Sequence, residues 1–117
     1  MAVTINSEIT AITETIKNTV DCEKIYLFGS YAYGTPHDDS DYDFFVVIPD
    51  NSELRPIEAI RKIRKNLNSI KRTLPVDIIA GRSSRFAEMS KLPTMERRIA
   101  REGVMLYEQG GFGQAMV

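Results

Sequence analysis

The chain is organised around residues 25–49, which read IYLFGSYAYGTPHDDSDYDFFVVIP. A short apolar run ends at Gly29 and Ser30, a turn-rich acidic loop follows, and a second apolar run begins with Asp41 and Asp43. This order predicts a strand, a glycine turn, a short helix or loop, and a second strand that carries two carboxylates. Side chains alternate along a strand, so Asp41 and Asp43 should share one face, with Cα atoms about 7 Å apart. Carboxylates placed in this way can share one or two hard divalent cations.

The spacing of these residues is specific enough to suggest a family. Gly29 and Ser30, ten further residues, and then Asp41 and Asp43 resemble the signature of the DNA-polymerase-beta-type nucleotidyltransferase superfamily. The small chain resembles the minimal nucleotidyltransferase branch of that superfamily. The resemblance implies an α/β nucleotidyltransferase fold, with a small mixed β-sheet flanked by α-helices. It also implies transfer of AMP, or another NMP, from ATP or another NTP to a hydroxyl group, with two Mg2+ ions as cofactors.

Five residues receive roles from this resemblance. Asp41, Asp43 and Asp77 would be the catalytic carboxylates and metal ligands, with Asp77 also orienting or deprotonating the acceptor hydroxyl. Gly29 and Ser30 would bind the nucleotide phosphates.

The residues themselves support these roles but leave alternatives. Asp43 precedes five apolar residues, where an unpaired carboxylate costs several kcal/mol to bury. Asp77 lies inside a third apolar run, so it is either the third acid of the site or a hydrogen-bonded core aspartate. Gly29 and Ser30 either form a phosphate-binding turn or an ordinary strand-to-helix turn.

One feature departs from the family pattern. Many relatives have a basic residue just after Gly-Ser, whereas Tyr31 and Tyr33 stand in this segment. The change is compatible with weaker nucleotide binding, with help from Arg82, Arg85 or a base of a partner, or with an altered nucleotide preference. The two rings are equally compatible with core packing and with stacking on a nucleobase.

Composition and charge favour one small globular domain. With 117 residues, the chain has room for one core, and we expect the nucleotidyltransferase domain at 1–108 and a flexible tail at 109–117. Residues 1–53 hold ten acids and two bases, whereas residues 54–101 hold four acids and thirteen bases. The basic half could face phosphates, face an acidic partner, or be a solvated surface. Direct nucleic-acid binding is not favoured, because no aromatic residues alternate with these bases.

Other classes are excluded by what the sequence lacks. No apolar run has the length of a membrane span and the N-terminus does not resemble a signal peptide, so we expect a cytoplasmic protein without a membrane partner. A single cysteine, Cys22, cannot form an internal disulfide, and a single histidine, His37, excludes a His-rich zinc site. No P-loop motif occurs.

The acceptor is the least determined part of the prediction. The chain has no room for the added domains with which larger relatives bind RNA, DNA or an aminoglycoside. The minimal branch is similar to the antitoxin partners of HEPN-type toxins, in which the transferase adenylylates the toxin. This implies a protein acceptor and a tyrosine hydroxyl. Two alternatives stay open: a non-catalytic antitoxin that acts by occlusion, and an enzyme acting on a small molecule such as an antibiotic. The second needs a pocket across a dimer, so a homo-oligomer is also open.

Hydrophobic periodicity and turn residues predict the remaining elements. A helix over 5–20 should begin at a cap on Asn6 or Ser7, and a later helix with Pro56 in its first turn should be capped by Asn51 or Ser52. The stripe of that later helix comprises Ile57, Ile60, Ile63, Leu67 and Ile70. Strands are predicted at 24–28, 41–48 (central in the sheet), 74–80 and 104–107, with one or two helices at 83–102 divided near Pro93.

Overall fold

The computed structural model describes residues 5–34 and 41–109. Five helices and four strands occur in these ranges: α1 Ser7–Thr19, β1 Lys24–Phe28, α2 Ser30–Tyr33, β2 Tyr42–Ile48, α3 Pro56–Leu67, β3 Val76–Arg82, α4 Ser83–Met89, α5 Met95–Glu102 and β4 Val104–Glu108. The predicted order of elements is confirmed, including two helices on either side of Pro93. The predicted acidic loop at 36–40 and all of the predicted tail at 109–117 except Gln109 lie outside the described residues.

The strands form one mixed sheet in the order β3-β2-β1-β4. Strand β2 pairs in parallel with β3 and antiparallel with β1, which pairs antiparallel with β4. Every β2 residue from Phe44 to Ile48 is buried, as expected of a strand covered on both faces. The central position predicted for this strand is therefore confirmed, as is the mixed α/β fold class.

The two faces of the sheet are covered by different helices. Helices α1 and α3 pack on one face and bury the larger core, which includes Ile9, Ile16, Phe44 and Ile63. A smaller cluster lies on the other face, where Phe86 of α4 and Ile99 of α5 cover the β-sheet residues Tyr26, Phe45 and Val47. Side chains alternate along β2, so Asp43 belongs to the face that carries this smaller cluster.

Helix α1 begins where the sequence predicts. The Asn6 side chain accepts a hydrogen bond from the Ile9 backbone N–H at 2.8 Å, which satisfies one unpaired donor of the first turn. Ile9, Ile12 and Ile16 are fully buried against the sheet. Among the described residues, no helix has the length and apolar character required to cross a bilayer.

Three predicted boundaries need correction. Helix α3 begins at Pro56 with Arg55 as its cap residue, not Asn51 or Ser52, because proline already has the backbone φ of a first helical position. Its buried row is Ala59, Ile63 and Leu67, whereas Ile57 is 45% exposed.

Strand β3 also differs from its prediction, because it runs over Val76–Arg82 and not over 74–80. Its parallel pairing with β2, in which Tyr42 is opposite Val76, determines where the ladder begins. Strand β2 starts at Tyr42, so Asp41 lies just before the ladder.

Candidate active site

The sheet register brings the predicted carboxylates together. Asp43 of β2 is directly opposite Asp77 of β3 and, on its other side, opposite Phe28 at the end of β1. Directly opposite residues in a sheet point to the same face, so the two carboxylates project together. The expectation that Asp77 lies beside Asp43 is therefore met by the register itself.

Gly29 lies against the Asp43 carboxylate. A Cβ atom at residue 29 would collide with the Oδ2 atom of Asp43 and would also approach its Cγ atom at 3.1 Å. The backbone of Gly29 has φ 78° and ψ −162°, a region that is open essentially to glycine alone. Glycine is therefore required here twice, for its backbone conformation and for the space that Asp43 occupies.

Asp43 is the electrostatic centre of the site. The pKa of its carboxyl is raised to about 6, first by burial, then by the charge of Asp77 and then by the charge of Asp41. All three causes disfavour the ionised form, and all three would be offset by a bound cation. Asp41 itself is exposed.

The surroundings of Asp77 differ from those of a core aspartate. Its side chain is 51% exposed, because β3 is an edge strand, and its Oδ1 atom lies 3.4 Å from the Nη2 atom of Arg64. The alternative of a hydrogen-bonded core aspartate is therefore wrong. An apolar run around an acid indicates a strand, but it does not show whether that strand has a neighbour on each side.

A hydrogen-bonded cluster supports the start of β2 and was missed by sequence reasoning. The Tyr42 hydroxyl accepts from the Asn6 side chain and donates to Glu8 Oε1, each at 3.1 Å. The Glu8 carboxylate also accepts from the backbone N–H of Thr73 at 3.1 Å and from its hydroxyl at 3.0 Å. The cluster therefore connects the start of α1, the start of β2 and the segment before β3. Tyr42 lies between Asp41 and Asp43 in the sequence, so the cluster fixes the backbone that carries these two carboxylates. An acid in a first helical turn indicates only a favourable helix terminus, which is why the cluster was not foreseen.

The two tyrosines of α2 have separate surroundings. Both are partly buried against the larger core, and the ring of Tyr31 packs on that of Tyr42, with centroids 5.0 Å apart. The Arg98 guanidinium of α5 lies 4.1 Å from the ring centroid of Tyr33.

The two arginines that the sequence offered as phosphate ligands do not lie at α2. Arg82 donates hydrogen bonds to the carbonyl groups of Pro49, Asp50, Ser52 and Leu54. It therefore holds the connection between β2 and α3. Arg85 lines a cavity of about 350 Å³ together with Phe45, Gly81, Arg82 and Phe86.

The residues present can supply part of the ligand set of Mg2+. Across 5–34 and 41–109, no three His, Cys, Asp or Glu side chains are grouped so as to hold a metal ion by themselves. Magnesium usually binds proteins through one or two carboxylates and completes its octahedron with water and substrate phosphate oxygens. Asp43 with Asp77 opposite and Asp41 nearby is a donor set of that kind. The pKa of Asp43 is raised first by burial and then by the charges of Asp77 and Asp41, and a bound cation would offset all of these.

Cys22 does not belong to this site. The thiol is buried, and burial raises its pKa to about 11, so it stays protonated and unreactive near neutral pH.

Comparison with known proteins identifies the family. The model of the family described as "Polymerase beta, Nucleotidyltransferase" matches residues 10–110. Because this match spans most of the chain, the protein belongs to the polymerase beta nucleotidyltransferase family. A search of curated proteins finds no significant match.

Solved structures share the fold. A "putative nucleotidyltransferase" from Sulfolobus solfataricus aligns with a TM-score of 0.59 and 20% identity over 86% of this chain and 78% of its own. A toxin-antitoxin structure with AMP-PNP gives a TM-score of 0.52 and 20% identity over 91% of this chain and 77% of its own. A mutant of the toxin-antitoxin complex MntA-HpeT gives 0.50 and 18% over the same shares.

Proposed function

We propose that the protein transfers a nucleoside monophosphate, AMP in the first instance, from an NTP to a hydroxyl group with release of pyrophosphate. The observation that carries the proposal is the alignment of Asp43 with Asp77 on one face of the sheet, directly beside the Gly29 turn. Family membership supports the same reaction class.

Each residue of the site has a proposed role. Asp41 and Asp43 would hold two Mg2+ ions, with Asp77 as a further ligand, and these ions would neutralise charge on the attacking and leaving oxygens. Asp77 would orient the acceptor hydroxyl and take up its proton. Gly29 and Ser30 would bind the phosphates that leave. The acceptor oxygen forms a bond to the α-phosphorus, the bond from that phosphorus to the bridging oxygen breaks, and pyrophosphate departs.

The acceptor that we propose is a tyrosine hydroxyl on a partner protein, a HEPN-type toxin, which the modification would silence. Two of the structures that share this fold are toxin-antitoxin structures, one of them with AMP-PNP.

The experiment is to incubate the protein with Mg2+, α-labelled ATP and a lysate of its host. We expect label on one discrete protein band, lost in Asp41→Ala/Asp43→Ala and retained in Asp21→Ala, which removes an exposed acid far from the site. Release of pyrophosphate in the same mixture should likewise be lost in Asp41→Ala/Asp43→Ala and retained in Asp21→Ala. If neither the unmodified protein nor any variant labels a protein band, the proposed protein acceptor is overturned, and a small-molecule substrate becomes the better proposal.

A toxin-neutralisation assay separates catalysis from occlusion. A catalyst protects cells only with an intact Asp43, whereas a protein that merely covers its partner protects equally well as Asp43→Ala. Equal protection by both proteins would overturn the enzymatic proposal.

A further inference from the structure

The α2 side of the site lacks a basic residue of its own. Helix α2 consists of Ser30, Tyr31, Ala32 and Tyr33, and it follows directly on Gly29. An NTP bound beside three carboxylates brings additional negative charge, and release of pyrophosphate leaves that charge on the departing group. A cationic side chain near the leaving phosphates would add to the charge compensation that the proposed Mg2+ ions supply.

Helix α5 places a cation against this segment from the far end of the chain. The Arg98 guanidinium lies 4.1 Å from the ring centroid of Tyr33, and the Tyr33 backbone N–H donates to the carbonyl of Gly29 at 2.9 Å. The ring that Arg98 contacts thus belongs to a residue one helical turn after Gly29, which itself contacts Asp43. Ile99, the next residue of α5, is fully buried and anchors the helix on the sheet.

Several groups act on the Tyr33 hydroxyl. Burial raises its pKa above the ordinary value, the charge of Arg98 and a hydrogen bond with the Gly29 backbone oppose this rise, and the charges of Glu102 and Asp43 add to it. Arg98 and Asp43 therefore both act on this one phenol. Arg101, on the same helix, is not among the groups that do so.

The contacts of Arg98 leave it able to bind an anion. Its ring contact uses the charge of the guanidinium, and its ion pair with Glu102 is a single exposed contact of 3.4 Å. Guanidinium groups present a fork of N–H donors that matches phosphate oxygens, and they bind phosphate more strongly than neutral donors do.

We infer that Arg98, held on the ring of Tyr33, binds the leaving phosphates of the NTP and supplies the positive charge that α2 lacks. This inference rests on the proposed function, because it assigns a further residue to the same nucleotide site. Tyr33 is then a positioning residue, whose ring face holds the arginine beside the Gly29 turn.

Binding of two probes tests the inference. Mg–ATP and Mg–tripolyphosphate share phosphates, but only the first has a base and a ribose. Arg98→Gln keeps the length of the side chain and removes its charge, so it should weaken binding of both probes about ten- to hundredfold by calorimetry. Arg101→Gln removes the same charge from the same helix and should change binding less than about twofold.

A rescue experiment sharpens the assignment. Tyr33→Arg in the Arg98→Gln background places a cation on α2 itself and should restore most of the lost binding of both probes. Circular dichroism and thermal unfolding check the fold of each variant: the two arginine variants, at exposed positions, should unfold like the unmodified protein, whereas Tyr33 is half-buried, so the rescue is interpreted only if Tyr33→Arg retains the native spectrum.

The outcomes separate this inference from the proposed function. Equal effects of Arg98→Gln and Arg101→Gln, or a loss with Mg–ATP alone, would overturn the role of Arg98 at the phosphates while leaving the nucleotide site intact. Failure of the unmodified protein to bind either probe would instead overturn the proposed function.

Discussion

Asp43 has an arginine from a distant helix on either side, and the two arginines have different neighbours. On the α2 side, Arg98 lies over the ring of Tyr33. On the β3 side, Arg64 lies 3.4 Å from a carboxylate oxygen of Asp77. A ring attracts a cation without neutralising it, whereas a carboxylate pairs with it and has less charge left for a metal. Arg98 also pairs with a carboxylate, that of Glu102 at 3.4 Å, but Glu102 is not a residue of the proposed site, whereas Asp77 is. The two exposed arginines can therefore have opposite consequences for ligand binding, according to whether the carboxylate they pair with belongs to the site.

The largest effect should come from breaking the α2 side at Gly29. Gly29→Ala forces a side chain into a glycine-only backbone region and into the Asp43 carboxylate, so we expect a loss of about 3 kcal/mol in the free energy of unfolding. Nucleotidyl transfer should be lost as well, because Asp43 must rotate away. Urea denaturation and the labelling assay measure the two effects.

Gly34→Ala is the matched control. Gly34 also has a positive φ, 82°, but lies in the left-handed helical region with nothing within 4 Å of an added Cβ. We expect a loss of about 1 kcal/mol and retained activity. Equal losses for the two variants would show that the contact with Asp43 has no importance.

The next effect concerns the charge that both sides share. The pKa of Asp43 is raised to about 6 in the folded protein, above its ordinary value of 3.8. The folded state therefore binds this proton more tightly than the unfolded state does. The stabilisation that results is complete below about pH 4 and is lost as the pH rises through 6. In EDTA, Asp43→Asn should therefore be more stable than the unmodified protein at pH 7 by about 1–2 kcal/mol, allowing for partial exposure.

Urea denaturation at several pH values measures this difference. The advantage of Asp43→Asn should shrink between pH 6 and pH 4, and Mg2+ should stabilise the unmodified protein more than the variant. An advantage that does not change with pH would contradict the raised pKa of Asp43.

A smaller effect is expected from the hydrogen-bonded cluster around Tyr42, which supports the start of β2. Tyr42→Phe removes the hydroxyl that connects Asn6 and Glu8, and we expect a loss of about 1 kcal/mol in stability. Tyr31→Phe is the control, because it changes the ring that packs on Tyr42 without touching this cluster. A larger loss for Tyr31→Phe would contradict the importance of the cluster.

The smallest effect on stability should come from the β3 side. Arg64→Gln removes an exposed ion pair, so the free energy of unfolding should change by less than about 0.5 kcal/mol. Affinity for Mg2+ should rise by about two- to fivefold, because the Asp77 carboxylate loses a competing cation. Arg61→Gln, on the same helix, should leave Mg2+ affinity unchanged. Equal Mg2+ affinities of the two variants would contradict the idea that Arg64 competes with Mg2+ for the Asp77 carboxylate.

Local patterns in the sequence were sufficient for the order of elements and for the adjacency of the two central carboxylates of the candidate site. The apolar run after Asp43 indicated a strand covered on both faces, and the structure places β2 at the centre of the sheet. Glycine and proline marked the turns because their backbone requirements are local. Adjacency of Asp77 to Asp43 was expected from two acid-bearing strands, and the parallel register provides it.

The tertiary structure alone decided what surrounds these carboxylates. Contacts such as Glu8 with Thr73, Arg64 with Asp77, and Arg98 with Tyr33 join residues far apart in the chain. Periodicity reports which side of an element is apolar, but polar side chains on the other side carry no signal of what they meet. The partners of those side chains depend on strand order and helix docking, because only the assembled sheet brings α3 to Asp77 and α5 to Tyr33.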